Sequence, residues 1–188
     1  MFTLQALFGI AAGVLSFAAY PVYILDIFRG KTKPSKTTWW ILALLNMALA
    51  ASYYASGARD TIWIPVSYSI GFLTIAFLSL RYGAGSWGRM DIVCLVGAVV
   101  SIALWFLLGS AEIALYLIIL TDLLGLAPTI YKAYKEPATE SRASWTIATI
   151  ASALNIAAVE SWTFAIYLYP VYVLVTNGLI LSFILRKS

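Results

Sequence analysis

The stretch Leu126-Ala127-Pro128-Thr129-Ile130-Tyr131-Lys132-Ala133-Tyr134-Lys135 places a proline late in an apolar run and closes that run with lysines. A second stretch, Tyr20-Pro21-Val22-Tyr23-Ile24, has the same character and leads through Asp26 to Arg29, Lys31 and Lys33. Pro21 and Pro128 lie 107 positions apart. Inside a soluble helix a proline removes a backbone hydrogen bond and costs about 3 kcal/mol. In a membrane bundle, neighbouring helices and waters re-satisfy the freed groups. Read as interior to long apolar helices, these two prolines indicate membrane spans. The runs that carry them reach back to residues 112 and 3. Each is long enough to cross a hydrocarbon layer of about 30 Å at about 1.5 Å per residue.

Working outward, seven such stretches fill almost the whole chain: 3–28, 38–56, 61–82, 90–109, 112–134, 143–160 and 162–186. Composition agrees: 62% of the 188 residues are hydrophobic and 11% charged, against about 25% charged in an ordinary soluble domain. The chain has no His and one Cys. That removes His-based zinc sites, Ser-His-Asp and Cys-His triads and an internal disulfide. With eight acids and no nucleophile-and-base set, the expectation is a non-enzyme with no cofactor and no metal. Segment 3–28 has no basic residues ahead of its apolar run, so it reads as a first span and not a signal peptide.

Loop charges set the orientation. Arg29, Lys31, Lys33, Lys36, Arg81, Arg89, Lys132, Lys135, Arg142, Arg186 and Lys187 fall on one side, and Arg59 alone on the other, so eleven of twelve cations share a face. This is the cytoplasmic signature, and it predicts seven spans running N-out to C-in. The net charge of +4 then faces anionic inner-leaflet lipid and calls for no nucleic acid.

The spans repeat. Trp40 and Trp145, Pro65 and Pro170, and Leu80-Arg81 and Leu185-Arg186 recur at 105 positions, and Gly71 and Gly178 at 107. Helix 4 has no counterpart. The predicted plan is a three-helix repeat over 1–82, a linker helix over 83–110 and a second three-helix repeat over 111–188. Because three is odd, one linker helix makes the repeats parallel, with a pseudo-two-fold axis along the membrane normal.

On the Pro128 stretch with Glu140-Ser141 and Trp145 after it, and on its first copy Tyr20–Ile24 with Lys33-Pro34-Ser35, the chain resembles the SWEET and PQ-loop transporter superfamily in its seven-helix form. The family's Pro-Gln dipeptide reads Pro21-Val22 and Pro128-Thr129 here. The resemblance implies an all-α integral membrane protein that moves a small polar solute, a sugar, amino acid or vitamin precursor, by alternating access. A non-transporting receptor or scaffold on the same fold is the alternative. The short loops suggest a prokaryotic cytoplasmic membrane. A homo-oligomer is compatible with the sequence.

Polar groups at mid-depth are the site candidates. A charge at the bilayer centre costs at least about 2.5–3.5 kcal/mol and marks function by default. Asp122 is the one Asp, Glu, Lys or Arg deep in a span. It is expected to bind a proton or a cationic group of the substrate. Asn46, Asn155 and Asn177 offer amides that donate and accept. Trp40 and Trp145 are expected at a constriction, with Tyr68 as a stacking surface. Pro21 and Pro128 read as paired hinges, and Asp26, Tyr23 and Tyr131 as an inner gate.

Overall fold

The computed structural model describes residues 3–30, 34, 36–83, 88–135, 137 and 142–186. The side chains of Val22, Asp26, Thr37, Thr38, Met90, Asp91, Pro128 and Lys132 fall outside that description. The described residues form eight α-helices and no strand. They are α1 (Leu4–Phe17), α2 (Tyr20–Phe28), α3 (Lys36–Ala55), α4 (Trp63–Tyr82), α5 (Arg89–Leu108), α6 (Ala111–Lys135), α7 (Arg142–Ala157) and α8 (Phe164–Arg186). Among them α4, α6 and α8 are long and apolar enough to cross a membrane. Leu4–Phe17, Trp39–Ala55 and Ile92–Leu108 are shorter apolar helices.

The stretch 3–28 is not one helix. It breaks at Ala18 and Ala19, and Pro21 stands in the first turn of α2. The physical reason lies in the proline ring. It supplies no N–H and collides with the carbonyl four residues back, so it is accommodated where a helix begins and its N–H would have no partner. The Ala18 amide closes α1 by donating to the Val14 and Leu15 carbonyls at 3.1 and 3.2 Å. Pro21 therefore starts a short helix and does not lie inside a long one. Its counterpart differs, since α6 continues through position 128 without a break. The side chain of Pro128 itself lies outside the described residues.

Two glycines bring α1 onto α4. Gly9 and Gly13 lie one helical turn apart, and a Cβ on either would run into the chain at Asp60 and Trp63. The Ser67 hydroxyl donates to the Gly13 carbonyl across the contact at 2.5 Å. Small residues at this spacing allow backbones to approach, which is what holds helices together where hydrophobic burial offers no gain over lipid. Between α5 and α6 the turn is only Gly109-Ser110. Gly109 has φ 65°, a left-handed conformation open to glycine, and its amide caps α5 on the Trp105 carbonyl at 2.8 Å.

The helix pairs form a pattern. α1 and α3 each pack on α4, and α6 and α7 each pack on α8. The two sets meet through α1 on α7 and α3 on α6. Exchanging α1, α3, α4 for α6, α7, α8 reproduces these pairs. α5 stands outside the exchange and packs on α3 and α6. At the centre lie Leu45, Leu49, Tyr53, Ile64, Leu115, Ile118 and Tyr169, all buried. The outside is also apolar: Val14, Phe77, Phe106, Leu107 and Val175 are each more than half exposed. Water-soluble monomers rarely expose apolar surface on this scale.

The glycine contacts predict opposite effects of one substitution. Gly13→Ala is expected to cost about 1–3 kcal/mol by overpacking. Gly178→Ala, with nothing within 4 Å of the new methyl, is expected to be neutral or to gain up to about 1 kcal/mol from helix propensity. Thermal unfolding of the two variants in the same detergent checks this.

Candidate functional site

Asp122 lies near the middle of α6, about 16 Å from one end and about 20 Å from the other by helix rise. It borders a cavity of about 300 Å³ between the helix sets. The α1–α2 junction contributes Ser16 and Tyr20, α3 contributes Leu42 and Asn46, and α4 contributes Tyr68 and Phe72. From the other set come Leu126 and Thr129 of α6, Trp145 and Ala148 of α7, and Tyr169, Tyr172, Thr176 and Asn177 of α8. Asp122 is the one Asp, Glu, Lys or Arg in the described lining.

The polar groups are held by short bonds. The Tyr172 hydroxyl donates to the Asp122 carboxylate at 2.6 Å. The Asn177 amide donates to the Ser152 hydroxyl at 2.8 Å and toward the Ala148 carbonyl at 3.4 Å, tying α8 to α7. The Tyr68 hydroxyl faces the Asn177 side chain. The Asn46 amide donates back to the Leu42 carbonyl of its own helix at 3.0 Å. The Thr176 hydroxyl does the same to Tyr172 at 2.9 Å. Each asparagine amide thus donates into the protein.

Of the expected binding residues, Asp122, Asn46, Asn177, Trp145 and Tyr68 come together in this lining. Asn155 does not. It is fully buried in α7, and among the described residues neither amide atom has a partner. Trp40 does not either; it faces outward, edge-on to Phe77 at 5.1 Å. The inward tryptophan is Trp39, which packs on Tyr23 and Phe72 at 5.3 and 5.4 Å. One residue turns a helix by about 100°, so a repeat register off by one selects the wrong ring.

The expected gate is also redistributed. Tyr131 is 64% exposed, two positions beyond the cavity-lining Thr129 and therefore on the opposite side of α6. Tyr23 is half-buried and outside the cavity, in the aromatic layer of Tyr20, Trp39 and Phe72. The Asp26 side chain lies outside the described residues.

The opposite end of the bundle is fastened. The Glu160 carboxylate, between α7 and α8, accepts from the backbone amides of Arg59 and Asp60, the second at 3.1 Å. Asp60 in turn accepts from the Thr3 hydroxyl at 3.2 Å, and Thr3 caps α1 through the Ala6 amide. Just beneath, Pro170 inside α8 deprives the Ile166 carbonyl of its helical donor. The Tyr53 hydroxyl of α3 donates to that carbonyl at 2.5 Å and pairs with the Thr61 hydroxyl at 2.7 Å. Thr61 and Ile166 are 105 positions apart, so Tyr53 bridges repeat-matched sites.

Sequence reasoning missed Tyr172 and Glu160. Tyr172 had a weak signal: it lies four residues before Thr176, on the same face of one helix. Glu160 had none, since its partners are backbone amides a hundred positions away. The Tyr53 bond makes a specific prediction. Tyr53→Phe should cost about 1–3 kcal/mol by stranding a buried acceptor. Pro170→Ala restores an N–H to Ile166, so the double variant should lose about 1 kcal/mol less than the sum of the singles. Additive shifts in unfolding midpoint across the cycle would refute the pairing. Compared with known proteins, the chain matches no family model, no curated protein and no solved structure.

Proposed function

We propose that the chain is a membrane transporter that moves a small polar solute by alternating access about the Asp122 cavity. In this reading seven spans form two parallel three-helix repeats, 1–82 and 111–188, joined by a linker over 83–110, N-out and C-in. The architecture resembles that of the SWEET and PQ-loop superfamily. The setting is a prokaryotic cytoplasmic membrane, with membrane lipid around the bundle.

The observation that carries the reading is the cavity itself. It has contributions from both helix sets, contains the lone mid-helix carboxylate and sits beneath a fastened end. A scaffold needs no such space. Solute sites near mid-membrane at a repeat interface are the general design of secondary transporters. The exchange of helix pairs supports the two-repeat plan. Mechanistically, the site is reached from one side while the Tyr53 and Glu160 bonds hold the other shut, and release there requires breaking them. Proton coupling requires Asp122 to change protonation during the cycle.

Uptake into proteoliposomes across sugars, amino acids, amines and vitamin precursors, with and without a pH gradient, tests this. At least one solute should accumulate faster than in empty vesicles. Thr129→Trp, which puts a large ring into the cavity, should cut that uptake at least ten-fold while circular dichroism stays unchanged. Asp122→Asn should abolish any dependence on the gradient. No uptake of any solute by the folded protein would favour the receptor or scaffold reading.

A further inference from the structure

The lining distinguishes among solute classes. Its one full charge is the carboxylate of Asp122, and no Lys or Arg is among the described lining residues. The partner of Asp122 is the Tyr172 hydroxyl at 2.6 Å, which supplies a hydrogen bond and no compensating charge. A carboxylate away from water calls for a cation or a proton. An amino acid brings its own carboxylate, and a phosphorylated or carboxylic solute brings only negative charge. Neither finds a cation here.

Hydrogen-bond acceptors add to the charge. The Asn46 and Asn177 amides and the Thr176 hydroxyl donate into the protein, to Leu42, Ser152 and Tyr172. Their oxygens can still accept, alongside the tyrosine and Thr129 hydroxyls of the lining, which can donate or accept. Among the described residues the Ser16 hydroxyl has no partner, and it can accept or donate. A sugar could pair its hydroxyls with such groups, yet it leaves the carboxylate without a counter-charge. An ammonium donates only and is matched by acceptors. The remaining wall is aromatic, with Tyr20, Tyr68, Phe72, Trp145 and Tyr169, and aromatic faces attract cations. A volume of about 300 Å³ lies at the small end of ligand pockets, which run from about 300 to 1,000 Å³.

We infer that the cavity takes a small organic monocation, a primary ammonium on an apolar or aromatic body, with the charge at Asp122 and the body among the rings. This deepens the transporter reading and rests on the same cavity.

Binding to the purified full-length chain in detergent, followed by titration calorimetry, tests it with a matched series: 2-phenylethylamine, 2-phenylethanol, phenylalanine and glucose. The amine should bind at least ten-fold more tightly than the alcohol and the amino acid, and glucose should not bind. Asp122→Asn should remove the preference for the amine. The wild-type series stands without the variant, should the latter fail to fold. Equal or tighter binding of the alcohol or of phenylalanine, or no binding of the amine, overturns the cation class. Vesicle uptake separates this from the broader reading. Transport of glucose or phenylalanine that the amine does not inhibit leaves a transporter and overturns the cation site. Amine binding with no amine uptake leaves the cation site and overturns transport.

Discussion

The Tyr53 hydroxyl, donated to a carbonyl that Pro170 leaves without a helical partner, shows the constraint under which the whole bundle is built. In apolar surroundings every backbone polar group must find its partner inside the protein. Proline breaks that rule locally, and the chain meets it in two ways. At Pro21 the helix ends and a new one starts, so the missing amide belongs to a position that needs none. At Pro170 the helix continues, and a side chain from α3 fills the gap. The second solution joins α3 to α8 and, through Thr61, to the segment entering α4. Together with the Glu160 contacts, this substitution of hydroxyl for amide holds that end of the bundle.

The two helix sets share their pairings but not their fillings. In the first set the Tyr20 ring lies on Gly71, where a Cβ would overlap it, and stacks edge-on to Phe72 at 5.9 Å. In the second set the residue matched to Tyr20 is Ala127, which is exposed, and Gly178 has open space beside it. The same backbone plan therefore carries an aromatic layer on one side and leaves room on the other. The cavity takes Tyr20 and Phe72 from the first set and Trp145 and Thr129 from the second.

Much of this was legible in the sequence because membrane helices are limited by length and by the cost of polar groups. Apolar runs located the helices to within a few residues, and scarcity singled out Asp122. The amides of Asn46 and Asn177 were found by depth alone, and depth is fixed by counting along a helix. Facing was harder. Distinguishing Trp39 from Trp40 needs a register good to one residue, and the two repeats differ in loop length. Asn155 was at an informative depth yet packs away from the cavity, since depth says nothing about azimuth. The helix break at Ala18 and Ala19 turns on a local choice between kinking and restarting, which a proline allows equally. Glu160 was invisible because its contacts are with main chain, which carries no sequence signal.

The position of α5 has a mechanical consequence. It lies along the α3–α6 seam, where Thr121 closes on Gly97 and Cys94 on Gly125, so the backbones sit near each other. Among the described residues the α1–α7 seam is crossed only by α4, which packs on α1 and barely touches α7. Stiffness around the bundle is therefore uneven: one flank is braced by three mutually packed helices and the other by little beyond the α1–α7 pair. A structure fastened along one flank flexes about it like a book about its spine. The compliant edge of this one runs past Ser16 and Ala148, which line the cavity.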